Sequence, residues 1–401
     1  MARIGIFGGS FNPPHRGHML AARESMRLLK LDRLLLIPAA LPPHKTLASG
    51  SPDAQTRLRL LRLAAQELVQ TEVSDIELRR SGASFTVDTL RQLHAAYPED
   101  ELFLLMGTDM YLSFDTWRSP QTIAQLAVLA CMYRTDADET LLAALREKQT
   151  QLAQTLGAQT VFVRNEALDV SSTQVRRMLF FGCAEPYLQP QVLDAIKKMR
   201  LYGVDDACTG LDFETLKEKS LSLHKPSRIA HAVGCSETAA ALARRFGADE
   251  TAAARAGILH DVTKALTRDE QLMLCRHAGL PLTQDETAIP SLLHAKTAAW
   301  AAEQIFGESA AVCAAIRWHT TGKADMTALE KIVYLADMIE PTRSHSGLAR
   351  IRAAAQRELD EAVLLALEQT ISFLEYRGFA VCGASVEARS FLLRERSKAE
   401  T

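Results

Sequence analysis

Hydrophobic periodicity changes character once along this chain, and that change limits the fold more than any other feature. Up to about residue 165, short runs rich in Leu and β-branched residues recur at 3–7, 34–38, 72–78, 102–106, 128–134 and 160–164, with helical spacing between them, as at 53–68 and 137–156. Strands alternating with helices imply βα units in a parallel sheet covered on both faces, with ligands at the carboxyl ends of the strands. From about residue 213 the strand pattern stops, and segments rich in Ala, Leu, Glu and Arg run almost to residue 401. The expected fold class is an α/β doubly wound parallel sheet, Rossmann-like, followed by an all-α helical bundle. The stretch GVDDACTGL at 203–211 carries two Gly and two Asp and reads as the joint. We therefore expect domains at 1–205 and 214–401 with a linker at 206–213, in keeping with roughly 150 residues per domain.

Composition narrows the class of partner. A 47% hydrophobic chain with 20 Gly and 14 Pro can bury cores and is neither collagenous nor disordered. No apolar run reaches the roughly 20 residues that span a bilayer, and MARIGIFGG enters a strand pattern at once, so a cytoplasmic protein without a membrane partner is expected. Lys and Arg total 46 against 48 Asp and Glu, which leaves no basic field for a nucleic-acid backbone and favours small-molecule ligands. Nothing in this balance argues for or against a homo-oligomer. The seven cysteines are odd in number and include no CxxC pair, so neither a disulfide framework nor a thiolate zinc site is indicated.

Directly after the first strand pattern stands Gly8-Gly9-Ser10-Phe11-Asn12-Pro13-Pro14-His15-Arg16-Gly17-His18, followed by helical spacing over 19–31. Glycines let the backbone approach a ligand, and a helix start offers N–H groups to phosphate. His15 and His18, three apart, can donate to phosphate oxygens as charge develops. The segment resembles the HxGH signature of the nucleotidylyltransferase superfamily, and VSSTQVRR at 170–177 resembles its SSTxxR motif. PPHK at 42–45, SFTVDTL at 84–90, GTD at 107–109 and TWR at 116–118 follow in order, and make residues 1–200 similar to bacterial nicotinate mononucleotide adenylyltransferases. Phosphopantetheine adenylyltransferases lack that series.

This resemblance implies adenylyl transfer from ATP to nicotinate mononucleotide, giving deamido-NAD and pyrophosphate, with Mg2+ carried by ATP. It implies catalytic roles for His15, His18 and Arg176, and ATP binding by Gly8, Gly9, Ser10, Phe11, His18, Ser171, Ser172, Thr173 and Arg176. It also implies that Trp117 stacks on the pyridine ring, Thr86 meets the carboxylate, Asp109 holds a ribose and Lys45 approaches phosphate. Taken singly, these four also read as a core Trp, a helix N-cap, a strand-end cap and a solvated charge.

In the second half His231, His260-Asp261, His294, His319 and Asp337 each fall on a separate predicted helix, which is how bundles assemble metal sites. The His260-Asp261 pair sits among Ile258, Leu259 and Val262, and a buried pair of this kind is costly unless coordinated or paired. The series resembles the HD phosphohydrolase superfamily. HAVG at 231–234, LHDVTK at 259–264, WHTTG at 318–322 and YLADMIEPTR at 334–343 are similar to the bacterial YqeK-type family over about 214–390. That family implies symmetrical hydrolysis of diadenosine tetraphosphate to two ADP, with iron. Imidazole and carboxylate ligands suit iron, manganese or zinc, so another divalent transition metal stays open. By resemblance His231, His260, Asp261 and Asp337 hold the first metal, while His294 and His319 complete a second position or bind phosphate. Lys264, His294, His319, Thr320 and Arg343 are the expected nucleotide contacts, although Lys264, Thr320 and Arg343 also suit a helix-end charge, a turn and a surface ion pair. No Gly-Tyr-Pro tripeptide follows the HD pair, which disfavours the cyclic-dinucleotide class.

Two enzymes in one chain is the favoured reading. The alternative keeps the adenylyltransferase and makes the helical half a nucleotide-sensing regulatory module or a different nucleotide phosphohydrolase.

Overall fold

The computed structural model describes residues 1–401 apart from 43–46, 49, 135–136, 166–169, 205–206 and 400–401. The chain divides into two compact units, Met1–Asp205 and Asp206–Thr401. In the first, strands β1 (Arg3–Gly9), β2 (Arg33–Pro38), β3 (Thr71–Val73), β4 (Glu101–Gly107), β5 (Val128–Arg134) and β6 (Thr160–Asn165) form one sheet in the order β3-β2-β1-β4-β5-β6, every pairing parallel. Helices α1 (Arg16–Leu29), α2 (Ala54–Ala64), α3 (Thr86–Ala96), α4 (Thr108–Leu112), α5 (Pro120–Leu126), α6 (Glu139–Leu156), α7 (Ser172–Phe180) and α8 (Pro190–Lys198) accompany the strands. Leu34 to Ile37 in β2 and Leu102 to Met106 in β4 are buried without alternation, as a sheet covered on both faces requires. Strand order reverses between β1 and β4. Their following loops diverge there and leave the crevice in which such sheets bind ligands.

One strand is shorter than its pattern suggests. Residues 72–78 read as β, but β3 ends at Val73, where the Ile76 N–H bonds the Ser74 hydroxyl and the N–H groups of Leu78 and Arg79 bond the Asp75 carbonyl. At a sheet edge these local bonds compete successfully with the ladder.

The second unit is helical: α9 (Phe213–Leu223), α10 (Ile229–Phe246), α11 (Glu250–Leu259), α12 (Arg268–His277), α13 (Gln284–Ala288), α14 (Leu293–Gln304), α15 (Ala310–Trp318), α16 (Ala328–Ile339), α17 (Leu348–Ala354), α18 (Leu359–Tyr376) and α19 (Gly383–Ala399). The fold class is the one expected from periodicity. Small residues let α10 and α11 pack closely: Ala232, Ala239, Ala253 and Ala256 are fully buried, and a Cβ on Gly257 would stand 2.6 Å from the Ser236 Cα. Among the described residues no helix is long and apolar enough to cross a membrane.

Gly257→Ala tests this contact. Overpacking costs about 1–3 kcal/mol, against about 1 kcal/mol that Ala gains over Gly in a helix, and here the clash is with backbone that cannot rotate away. The C-terminal unfolding transition in urea should therefore lose stability by about 1–2 kcal/mol, while the N-terminal transition stays put. A stabilised variant would contradict the close approach.

Candidate functional site

The loop after β1 meets the start of α1 and the start of α7. His15 is the N-cap of α1, and its Nδ1 accepts from the His18 N–H at 3.4 Å while the His18 Nδ1 accepts from the His15 N–H at 3.3 Å. The two rings stack with centroids 3.6 Å apart. A neutral ring that accepts at Nδ1 carries its proton on Nε2. Burial, and secondarily the charge of His18, push His15 down to about 2, so it is neutral at physiological pH. Ser171 caps α7 in a reciprocal pair with Gln174. The Ser172 hydroxyl donates to the Pro13 carbonyl at 3.0 Å, and Arg176 donates to the Asn12 carbonyl at 2.7 Å and to the Thr173 hydroxyl at 3.1 Å. The two motif segments are thus joined directly.

Beside the loop, a cavity of about 480 Å³ opens at the carboxyl ends of β1, β2 and β4, and Gly8, Gly9, Ser10, Thr86 and Trp117 all line it. Thr86 begins α3, and Trp117 is half-buried with its ring 5.5 Å from that of Phe114. Glu77 forms part of the wall, accepting from the Thr89 hydroxyl at 2.7 Å; burial raises its pKa. Phe11 is buried, and its ring packs edge-on against His18. Asp109 is exposed and does not line this cavity. It lines a neighbouring cleft of about 620 Å³ with Tyr133 and Asp138. Lys45 lies outside the described residues.

In the second unit all six expected ligand residues converge. The His231 Nε2 lies 3.2 Å from the His260 Nε2 and 3.1 Å from the Asp337 Oδ1, and the His260 Nε2 is 3.5 Å from the Asp261 Oδ2. The other Asp261 oxygen faces His294 at 3.3 Å and His319 at 3.8 Å, whose Nε2 atoms are 3.2 Å apart. Each Nδ1 is occupied elsewhere. His260, His294 and His319 bond the carbonyls of Gly257, Ser291 and Ile316 at 2.7, 2.6 and 2.7 Å, and His231 bonds Glu340 at 2.9 Å. With the proton on Nδ1 alone, four Nε2 lone pairs and two carboxylates would face one another. Uncompensated, that arrangement repels itself, so the donor set fits a cation at its centre.

Titration agrees with that reading for two of the rings, His294 and His319. Burial, with the charges of His260 and His294, pushes His319 down to about 3, and burial also lowers His294. His260 differs: against the cost of burial, Cys235 and Asp261 lift it well above the ordinary imidazole value, so it carries a second proton that a cation would have to displace. Burial likewise opposes charge on Asp261 and Asp337, yet His260 and His231 respectively hold them well below the carboxylate range.

The expected nucleotide contacts surround this cluster. The Lys264 ammonium lies 3.0 Å from the His294 ring nitrogens. Arg343 donates to the Asp337 carbonyl at 2.9 Å and to its Oδ1 at 2.5 Å, and Thr320 follows His319 half-buried.

Residues 6–178 match the cytidylyltransferase-like family, and residues 228–342 match the HD domain. A protein of Geotalea uraniireducens named "Probable nicotinate-nucleotide adenylyltransferase" is 35% identical over 213 residues, 50% of this chain and 98% of that protein. One of the same name from Thermus thermophilus is 37% identical over 201 residues, 50% of this chain and 99% of that protein. The N-terminal half of the chain belongs to the nicotinate-nucleotide adenylyltransferase family. An HD domain follows it in the same chain. A crystal structure of a "predicted HD superfamily hydrolase involved in NAD metabolism" from Clostridium acetobutylicum is 31% identical, with 46% of this chain and 98% of that chain covered and a TM-score of 0.45.

Three residues of these sites carry no distinctive sequence signal. In the adenylyltransferase half, Arg57 of α2 donates to the Ser10 and Ala39 carbonyls at 2.7 Å each and to Ala40 at 3.1 Å. In the HD domain, Arg228 pairs with Asp261, and Glu340 is fully buried against His231. Glu340 stands in the quoted ADMIEPTR segment, and its i+3 spacing from Asp337 is the one clue that it faces the same way.

His15 supplies a test of the loop. Burial holds its imidazole down to about 2 in the folded chain against the ordinary 6.5, so below pH 6.5 the unfolded chain takes up a proton that the folded loop excludes, and stability falls as pH falls. Between pH 6 and 4 the N-terminal transition should lose up to about 1.4 kcal/mol more per pH unit than in His15→Asn, whose amide still caps α1. Denaturation series with equal slopes would show that the folded loop accepts the proton.

Proposed function

We propose that the first unit transfers the adenylyl group of ATP to nicotinate mononucleotide, and that the second hydrolyses diadenosine tetraphosphate symmetrically to two ADP with the help of a divalent transition metal.

The first assignment rests on the junction of the two motif segments through Pro13–Ser172 and Asn12–Arg176, beside the cavity that holds Trp117 and Thr86. In the reaction an oxygen of the mononucleotide phosphate bonds to the α-phosphorus of ATP, the bond from that phosphorus to the bridging oxygen breaks, and pyrophosphate leaves. Transfer of this kind depends on positioning and charge neutralisation, with no covalent enzyme intermediate. His15 and His18, each with its proton on Nε2, donate to the oxygens that gain charge. Gly8 to Phe11, Ser171, Ser172, Thr173 and Arg176 hold the triphosphate, and Mg2+ arrives with ATP. Trp117 offers a flat face to the pyridine ring, and Thr86 with the α3 N-terminus receives the carboxylate. Asp109, in the adjoining cleft, takes a ribose, and Lys45 completes the phosphate contacts.

The second assignment rests on the convergence of four Nε2 atoms and two carboxylates. His231, His260, Asp261 and Asp337 would hold one ion, and His294 and His319, facing the second oxygen of Asp261, a further ion or a phosphate. A bound divalent metal supplies Lewis acidity and an activated water nucleophile. Glu340 holds the His231 ring with its lone pair inward, and Lys264, Thr320 and Arg343 at the rim receive the polyphosphate.

His18→Ala should lower pyrophosphate release from ATP plus nicotinate mononucleotide by about 100-fold or more and leave tetraphosphate hydrolysis intact. Asp261→Ala should do the reverse, and Glu340→Gln should weaken metal binding by about 10- to 100-fold, read by metal titration. Product analysis decides the cleavage: ADP alone supports the symmetrical reading, ATP with AMP opposes it. A metal-loaded wild-type chain that binds the dinucleotide and releases no nucleotide would make the second unit a sensor.

A further inference from the structure

Arg57 heads the fully buried side chains by size. Among the described residues it forms no ion pair with a carboxylate, and its Nε has no hydrogen-bond partner; its other nitrogens go to three backbone carbonyls. A buried cation held by carbonyls alone is an expensive way to anchor a helix, since Leu or Met would pack there without the desolvation cost. The position of those carbonyls gives the arginine a use. Ser10 belongs to the loop after β1, and Ala39 and Ala40 follow β2, with Ser10 and Ala39 both lining the cavity that Thr86 and Trp117 also line. Arg176 holds the carbonyl of Asn12, and Phe11 between them has φ of 44°, a left-handed backbone that a bulky residue rarely adopts. A guanidinium on each side therefore over-determines a strained residue. Both clamps also turn carbonyl oxygens, which would repel an anion, onto positive charge.

We infer that Arg57 is a positioning residue of adenylyl transfer, which holds the loop at 8–12 in its polyphosphate-binding shape and keeps behind it a positive charge that no carboxylate among the described residues bonds. The inference rests on the transferase reading above. Arg57 touches the loop and not the substrates, so it acts through the Ser10 and Ala39 carbonyls and through its field.

The test compares Arg57→Lys, which keeps the charge but cannot bridge three carbonyls, with Arg57→Gln, which keeps a donor and loses the charge. Both are assayed for kcat, for KM of each substrate, for inhibition by inorganic pyrophosphate and for Tm. Expected in Arg57→Gln is a fall in kcat of about 100-fold and a loss of pyrophosphate affinity of about tenfold or more. Expected in Arg57→Lys is a fall in kcat of about tenfold, with pyrophosphate affinity within about threefold of wild type. The Lys variant decides the case alone should the Gln variant not fold. A kcat at the wild-type level in Arg57→Lys overturns the inference, as does a loss in which pyrophosphate, ATP and mononucleotide affinities fall together in step with Tm, the mark of a merely structural residue. A wild-type chain that releases no pyrophosphate overturns the transferase reading, and Arg57's role with it; an active wild type with unaffected variants overturns only the latter.

Discussion

A hydrogen bond at the Nδ1 of a histidine decides what its Nε2 can do, and both units depend on that bond. In the first unit the Nδ1 atoms of His15 and His18 face backbone N–H groups at the start of α1, which leaves the proton on Nε2, where a phosphate oxygen can use it. In the second unit the Nδ1 atoms of His260, His294 and His319 face carbonyls three residues earlier, and that of His231 faces Glu340, which turns Nε2 inward to the carboxylates, where a cation can use it. Helix polarity does much of the sorting. A helix start has N–H groups to spare and a helix end has carbonyls, and His260 and His319 stand at the C-caps of α11 and α15. On the proposed functions, the same side chain would serve as a donor to an anion in one unit and as a ligand to a cation in the other.

This geometry has packing requirements. Gly257 lets α11 lie against the backbone of Ser236 and also offers the carbonyl that orients His260, so one residue brings the helices of His231 and His260 together and aims one of the rings. Asp261 then spans the two halves of the cluster, one oxygen toward His231 and His260, the other toward His294 and His319. Its carboxylate can do so only because Leu259 and Val262 on either side are buried and hold the turn inside the bundle.

Much of this was legible in the sequence because the signals are local. Five of the six strands follow from β-branched and Leu-rich runs, the helical half from their absence, and the phosphate loop from a strand, glycines and a helix start in immediate succession. The third strand was overestimated because Ser74 and Asp75 form turns whose bonds a hydrophobicity pattern does not register. Arg57 was invisible for a different reason. In RLRLLR it repeats like any solvated helical charge, and only the tertiary fold shows that its face of α2 turns inward to the ends of β1 and β2. Arg228 and Glu340 were hidden in the same way, since an ion pair or a bond to a ring nitrogen between distant segments leaves no periodic trace. Asp109 and Trp117, expected to meet different parts of the substrates, line adjoining cavities, a separation that order along the chain does not reveal.

The near balance of charge along the whole chain fits with strong local fields because arginines in the two sites are treated differently. Arg57 and Arg176 bond carbonyls and a hydroxyl and no carboxylate among the described residues, so on the transferase reading their charge would remain available to a polyphosphate beside the loop. Arg228 and Arg343 instead pair with Asp261 and Asp337, the carboxylates proposed to hold metal. On the metal reading, Asp261 and Asp337 would hold the ion with the same oxygens that now bind the two guanidinium groups, which would leave Arg228 and Arg343 free for a phosphate. On the transferase reading, the first site would recognise its anion with permanent fixed charge. In the second, on the metal reading, phosphate recognition is conditional on the ion, which would couple occupancy of the centre to affinity for the nucleotide.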